Sequence, residues 1–224
     1  MNGGVIFDLD GVIIDSEPFW AEALKKTFRE IGVELTDSQA KLTRGRNYKE
    51  VVNFWCKQKK LDISETDTIS QKLLLNLLGM IDNRHILMDG AIEVIKMLRE
   101  KGMKVGIATS SPAALIEKVI TKYNLDKYID SFTHGEEVSH SKPNPEIYLR
   151  QSEKMGIPPG NIIAVEDSVT GMVSAYSAGC IVIAMPSKEE KLRREFGLAH
   201  YIIYSLRDIK YELIEILFEQ FILH

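Results

Sequence analysis

With 224 residues, 45% of them hydrophobic, the chain can bury one sizeable core, either as a single domain or as a large domain with a small companion. Its formal net charge of -4 lacks the basic footprint of nucleic-acid binders, and its two cysteines, Cys56 and Cys180, fit neither a zinc spacing nor a disulfide framework, which points to a reducing compartment. The N-terminus has no signal-peptide pattern, and the apolar stretch 202–223 is broken by Arg207, Asp208, Lys210, Glu212, Glu215 and Glu219, so a cytoplasmic monomer without membrane or nucleic-acid partners is expected.

The chain opens on Val5-Ile6-Phe7-Asp8-Leu9-Asp10-Gly11. An apolar run that stops at acids reads as a buried parallel strand delivering side chains to the carboxyl edge of a sheet. Residues i and i+2 of a strand share a side, so Asp8 and Asp10 are expected to emerge around one small space, and Gly11 permits a tight exit. Two carboxylates placed in this way can divide labour, one as nucleophile or metal ligand and the other as general acid and base. The same residues also make an ordinary acidic turn.

After Asp15 the apolar period becomes helical. Pro18 stands in a first turn, and Phe19, Ala23, Leu24, Thr27, Phe28 and Ile31 recur at helical spacing until Gly32. Thr36 reads as the N-cap of a short segment ending at Leu42, and further helices are expected over 47–59 and from 64 to about 81. Residues 16–82 hold no convincing strand. They are therefore expected to form an all-helical insert, with 1–15 and 83–224 as the α/β core.

From Gly90 the alternation of helix and strand resumes. A helix through Ala91, Val94, Ile95 and Leu98 ends at Gly102, and 104–108 reads as the next buried strand. It runs into Thr109-Ser110-Ser111-Pro112, where hydroxyls and free backbone N–H groups at a helix start can hold a phosphate or simply cap the helix. A helix over 113–123 and a short strand at Phe132-Thr133 lead to Ser141-Lys142-Pro143-Asn144-Pro145. Most lysines are solvated, but two prolines hold Lys142 in a rigid loop, as a fixed charge facing phosphate or carboxylates requires. Residues 161–165 form another apolar strand, ending in Glu166-Asp167-Ser168. That ending reads either as a helix N-terminus with Ser168 as cap or as more acids at the sheet edge. Gly171 in the following helix marks close packing or close backbone approach, and strands at 181–184 and 201–203 with a last helix finish the sheet.

Taken together, Phe7-Asp8-Leu9-Asp10-Gly11-Val12 with Asp15-Ser16-Glu17-Pro18, the strand ending at Thr109, the Ser141-Lys142-Pro143-Asn144-Pro145 loop, and Val165-Glu166-Asp167-Ser168 with Gly171 resemble four motifs in order. These are the motifs of the haloacid dehalogenase superfamily, in its branch of small sugar-phosphate phosphatases and β-phosphoglucomutase. The resemblance covers nearly the whole chain. It implies an α/β fold, a Rossmann-like doubly wound parallel sheet core with an inserted all-helical cap domain.

The resemblance also implies residue roles. Asp8 takes up a phosphoryl group, Asp10 handles protons, and Thr109, Ser110 and Lys142 bind the phosphate, with Thr109 and Lys142 counted among the catalytic residues. Asp8, Asp10, Glu166 and Asp167 form the expected metal site. Carboxylates crowded at one edge need a cation, and magnesium, which takes oxygen ligands and works in phosphoryl transfer, is the expected cofactor. The expected substrate is a small phosphate monoester, a sugar or sugar-alcohol phosphate, hydrolysed through an aspartyl-phosphate. Trp20 stands where β-phosphoglucomutase has a cap histidine, and Tyr48 where it has a cap arginine. Trp20, Arg46, Asn47 and Lys49 are expected to contact the organic part of the substrate. The missing imidazole favours a phosphatase over the alternative, a β-phosphoglucomutase-type isomerase; a non-enzymatic phosphate- or metal-binding protein is the third reading.

Overall fold

The computed structural model describes residues 3–43 and 46–222. The chain divides into two compact units, Met1–Ile14 with Leu87–His224, and Asp15–Ile86. The first unit begins with β1 (Gly4–Phe7), whose four residues are all buried.

The second unit holds α1 (Glu17–Arg29), α2 (Asp37–Lys41), α3 (Tyr48–Gln58) and α4 (Thr66–Asp82), and no strand among its described residues. Packing of α1 on α4 buries Phe28, Leu73, Leu77 and Ile81. Thr36 caps α2 through a capping box with Gln39, as the sequence pattern predicts. The predicted helix over 47–59 begins one residue later, because Asn47 is its cap and accepts the Lys49 N–H at 2.9 Å.

The larger unit continues with α5 (Ala91–Glu100), β2 (Lys104–Thr109), α6 (Ala113–Tyr123), β3 (Ser131–His134), α7 (Glu146–Met155), β4 (Ile162–Glu166), α8 (Val169–Ser177), β5 (Ile181–Ala184), β6 (Tyr201–Ile202) and α9 (Tyr211–Ile222). The six strands form one parallel sheet in the order β3-β2-β1-β4-β5-β6. This is the Rossmann-like doubly wound arrangement. β1 lies at its centre, pairing Gly4 with Lys104 of β2 and with Ile162 of β4. Chain order runs outward from β1 in both directions, which places the switch point of the sheet at the carboxyl end of β1, where such folds bind ligands.

The junctions between the units lie at 14/15 and 86/87, where sequence reading placed them at 15/16 and 82/83. Outgoing and returning chain are hydrogen-bonded to each other within each unit, next to the junctions. Met88 N–H donates to Ile13 O at 2.9 Å in one unit, and Asp15 N–H to Ile86 O at 2.8 Å in the other. Local periodicity cannot register such pairing. Met88-Asp89-Gly90 is held by its own device: Asp89 takes the Arg207 guanidinium at 2.6 and 2.7 Å. Among the described residues, no helix is long and apolar enough to cross a membrane.

Candidate active site

Asp8 follows β1 directly, and its N–H donates to Val165 O at 3.0 Å, carrying the ladder one residue further. Leu9 is fully buried between Asp8 and Asp10, in the turn that follows the strand. Gly11 has φ +79, and a Cβ there would lie 2.1 Å from Asp167 Oδ2. Only glycine supplies both the left-handed backbone and the room that Asp167 occupies.

Lys142 binds the cluster together. Its ammonium donates to Glu166 Oε1 at 2.6 Å, Asp8 Oδ1 at 3.0 Å and Ala108 O at 3.1 Å, which uses all three hydrogens. Burial lowers its proton affinity, but the charges of Asp8 and Glu166 outweigh burial and hold it above the ordinary lysine range. Tyr148, fully buried on α7, donates its hydroxyl to Glu166 Oε1 at 2.5 Å and places its ring 5.2 Å from the ammonium. Burial also raises the phenol well above its ordinary pKa, so it stays a donor.

Asp8, Glu166 and Asp167 offer carboxylate oxygens that all lie within 4.8 Å of one another. Burial pushes Asp8 up to about 7, with Lys142 opposing the rise and Glu166 and Asp10 adding to it. One ammonium therefore does not balance the acids gathered around it. An all-oxygen donor set with excess negative charge fits a hard divalent cation such as magnesium. Glu166, at the end of β4, is gripped from α8 as well: a Cβ at Gly171 would lie 2.1 Å from its carboxylate.

Asp10, expected both as proton carrier and as metal ligand, has its side chain outside that trio. Its Oδ2 accepts from Ser111 Oγ at 2.6 Å and from Thr109 Oγ1 at 3.2 Å, so the carboxylate is turned toward the end of β2. The capping reading of Thr109-Ser110-Ser111 is not realised, since Pro112 is the cap residue of α6 and no side chain bonds there. Ser110 lies half-buried in the same turn. Ser168, by contrast, does cap α8, accepting Gly171 N–H at 3.0 Å. Both readings of Glu166-Asp167-Ser168 thus hold at once.

The helical unit gathers the other candidates around the start of α3. Half-buried Trp20 lies with its ring centroid 6.2 Å from that of buried Tyr48, Lys49 Nζ is 5.8 Å from the Tyr48 ring, and the Arg46 guanidinium is 5.7 Å from Phe54.

Sequence reasoning named Ser111 only as one of three hydroxyls and not as the partner of Asp10, and it missed Tyr148. Ser111 carried a signal, because it stands two residues beyond Thr109. Tyr148 carried none, since an aromatic residue early in a helix reads as core.

The family model for haloacid dehalogenase-like hydrolases matches residues 5–185, a span that contains every side chain of this cluster. The chain belongs to the haloacid dehalogenase-like hydrolase family. Among other family members, hexitol phosphatase B of Escherichia coli (strain K12) is 30% identical over 205 residues, covering 91% of this chain and 92% of that protein. The phosphorylated carbohydrates phosphatase of Thermotoga maritima is 28% identical over 207 residues, covering 92% and 88%. β-Phosphoglucomutase from Clostridium difficile shares the hydrolase fold over 100% of both chains, with a TM-score of 0.86 at 20% identity.

Proposed function

We propose that this hydrolase is a magnesium-dependent phosphatase that cleaves a sugar or sugar-alcohol phosphate through an aspartyl-phosphate on Asp8. The observation that carries the reading is the meeting of Asp8 with Lys142, Glu166 and Asp167 at the carboxyl end of the central strand, with Asp10 held separately by two hydroxyls. The substrate class is supported by the phosphatases of hexitol and carbohydrate phosphates at 28–30% identity.

A carboxylate oxygen of Asp8 attacks phosphorus, and the bond from phosphorus to the substrate oxygen breaks as Asp10 gives that oxygen its proton. Lys142 supplies positive charge beside the nonbridging oxygens, and Thr109 and the Ser110 N–H hold them. Asp10, now ionised, takes a proton from water as the water oxygen attacks the aspartyl-phosphate; inorganic phosphate leaves and Asp8 is regenerated. Magnesium, held by Asp8, Glu166 and Asp167, supplies positive charge against the phosphoryl oxygens when bound.

In this reading Trp20, Arg46 and Lys49 select the organic part of the substrate, while Asn47 is already engaged as the cap of α3. The likeness to a β-phosphoglucomutase fold favours one other reading, transfer of the phosphoryl group to a second sugar hydroxyl. Trp20 argues against it, because an indole N–H only donates and cannot relay a proton as imidazole does. The deciding experiment assays phosphate release from a panel of hexose and hexitol phosphates with magnesium, alongside β-glucose 1-phosphate with catalytic bisphosphate. Phosphate release from the panel with little glucose 6-phosphate is expected. Rapid isomerisation with negligible release would replace the phosphatase by a mutase and leave the chemistry of Asp8 standing.

A further inference from the structure

We infer that Tyr148 is a positioning residue that makes the cation site select magnesium over larger divalent ions, an inference that rests on the proposed magnesium dependence. The argument begins with Glu166, which is fully buried. Its Oε1 takes two short hydrogen bonds, from Lys142 Nζ at 2.6 Å and from Tyr148 OH at 2.5 Å. Two strong donors occupy the lone pairs of that oxygen and leave Oε2, which takes only a longer bond from Ser168 Oγ at 3.4 Å, as the one to face a cation. The backbone at Gly171 closes in so tightly that a Cβ there would lie 2.1 Å from Cδ, Oε1 and Oε2 alike. A carboxylate gripped in this way cannot pivot to present both oxygens.

Single-oxygen ligation is what magnesium demands and what calcium does not need. Magnesium takes near-octahedral geometry at about 2.0–2.1 Å, whereas calcium accepts six to eight ligands at about 2.3–2.6 Å, often with bidentate carboxylates. Lys142 alone does not impose the restraint, since its ammonium is shared with Asp8 and Ala108 O. The Tyr148 hydroxyl is directed at Glu166. Packing does not explain that hydroxyl: the ring lies in the core cluster with Ile147, Met155, Ala164 and Met172, where phenylalanine would fill the same space without burying a polar group.

The test is calorimetric titration of the full chain, wild type and Tyr148→Phe, with magnesium chloride and separately with calcium chloride, and with thermal unfolding followed on the same samples. Wild type is expected to bind magnesium more tightly than calcium. In Tyr148→Phe the magnesium dissociation constant should rise about tenfold, as for loss of other partners that orient a ligand, while that for calcium changes by less than about twofold. An unchanged ratio, or equal weakening of both ions, overturns the inference and leaves the magnesium site intact. A wild type that binds no magnesium overturns the metal assignment along with it. Should Tyr148→Phe lose its cooperative unfolding transition, the wild type alone decides, because calcium affinity equal to that for magnesium contradicts a restrained Glu166.

Discussion

Ser111 Oγ donates to Asp10 Oδ2 at 2.6 Å, and through this bond the third hydroxyl of the β2–α6 turn aims the proposed proton carrier. A bond from a neutral donor to a charged acceptor is worth about 1.5–3 kcal/mol, enough to hold one rotamer against its alternatives. Ser111→Ala should therefore lower kcat about tenfold on a sugar phosphate with little change in KM. The initial burst of nitrophenolate from p-nitrophenyl phosphate, whose leaving group needs no proton, should survive. A KM effect with kcat unchanged would assign Ser111 to substrate binding instead.

Asp8→Asn should abolish turnover, and its effect on stability should depend on pH. The folded-state pKa of Asp8 is raised from 3.8 to about 7, so between those values the folded state binds more protons than the unfolded state. Stability of the metal-free wild type accordingly falls as pH rises through that window, by an amount on the order of 2–4 kcal/mol from this group. Asparagine has no such dependence. The excess melting temperature of Asp8→Asn over wild type should grow from pH 4 to pH 7, level off above it, and shrink when magnesium is added to both.

The two neighbours at the start of α8 should separate ligand from cap. Asp167→Asn removes a charged donor and should raise the magnesium dissociation constant by about 10–100-fold with little loss of stability. Ser168→Ala removes the bond to Gly171 N–H and should cost about 1 kcal/mol of stability while magnesium binding persists. Calorimetry and thermal melts on the same pair of variants check both halves.

At Gly171 helix propensity and packing point in opposite directions. Alanine in a helix interior is favoured over glycine by roughly 0.5–1 kcal/mol. Against this, the added methyl meets the Glu166 carboxylate at 2.1 Å, and overpacking typically costs about 1–3 kcal/mol before the Lys142 and Tyr148 contacts are disturbed. Gly171→Ala should lower the melting temperature and reduce activity at least tenfold, where an ordinary helical glycine would gain stability.

Much of the molecule was legible because its signals are local. The apolar run before Asp8, the hydroxyls after β2, the proline-held Lys142 and the acids after β4 each announce the end of a strand, and parallel strands deliver their ends to one edge. What local pattern cannot supply is the direction of a side chain once it arrives. Asp10 turns to Ser111 and Thr109, a choice not visible in the residue itself. The junction near Ile86 was misplaced for a related reason, since the pairing of Asp15 with Ile86 joins positions far apart in sequence. Tyr148 was hidden by its own chemistry: its ring belongs to the core, and only the hydroxyl reaches the site.

The central place of β1 has a consequence for biosynthesis. Gly4 must find Lys104 on one side and Ile162 on the other, with the helical unit intervening before the first of them. Closure entropy grows with the length of chain between partners, so the β2–α6–β3 and β4–α8–β5 crossovers are the contacts reached first, and β1 is secured only when both flanks exist to receive it. The strand that needs both flanks is the one that leads directly into Asp8. A nascent chain emerging from the ribosome therefore cannot enclose β1 on both sides, and with it fix the proposed nucleophile Asp8, until β4 has been made.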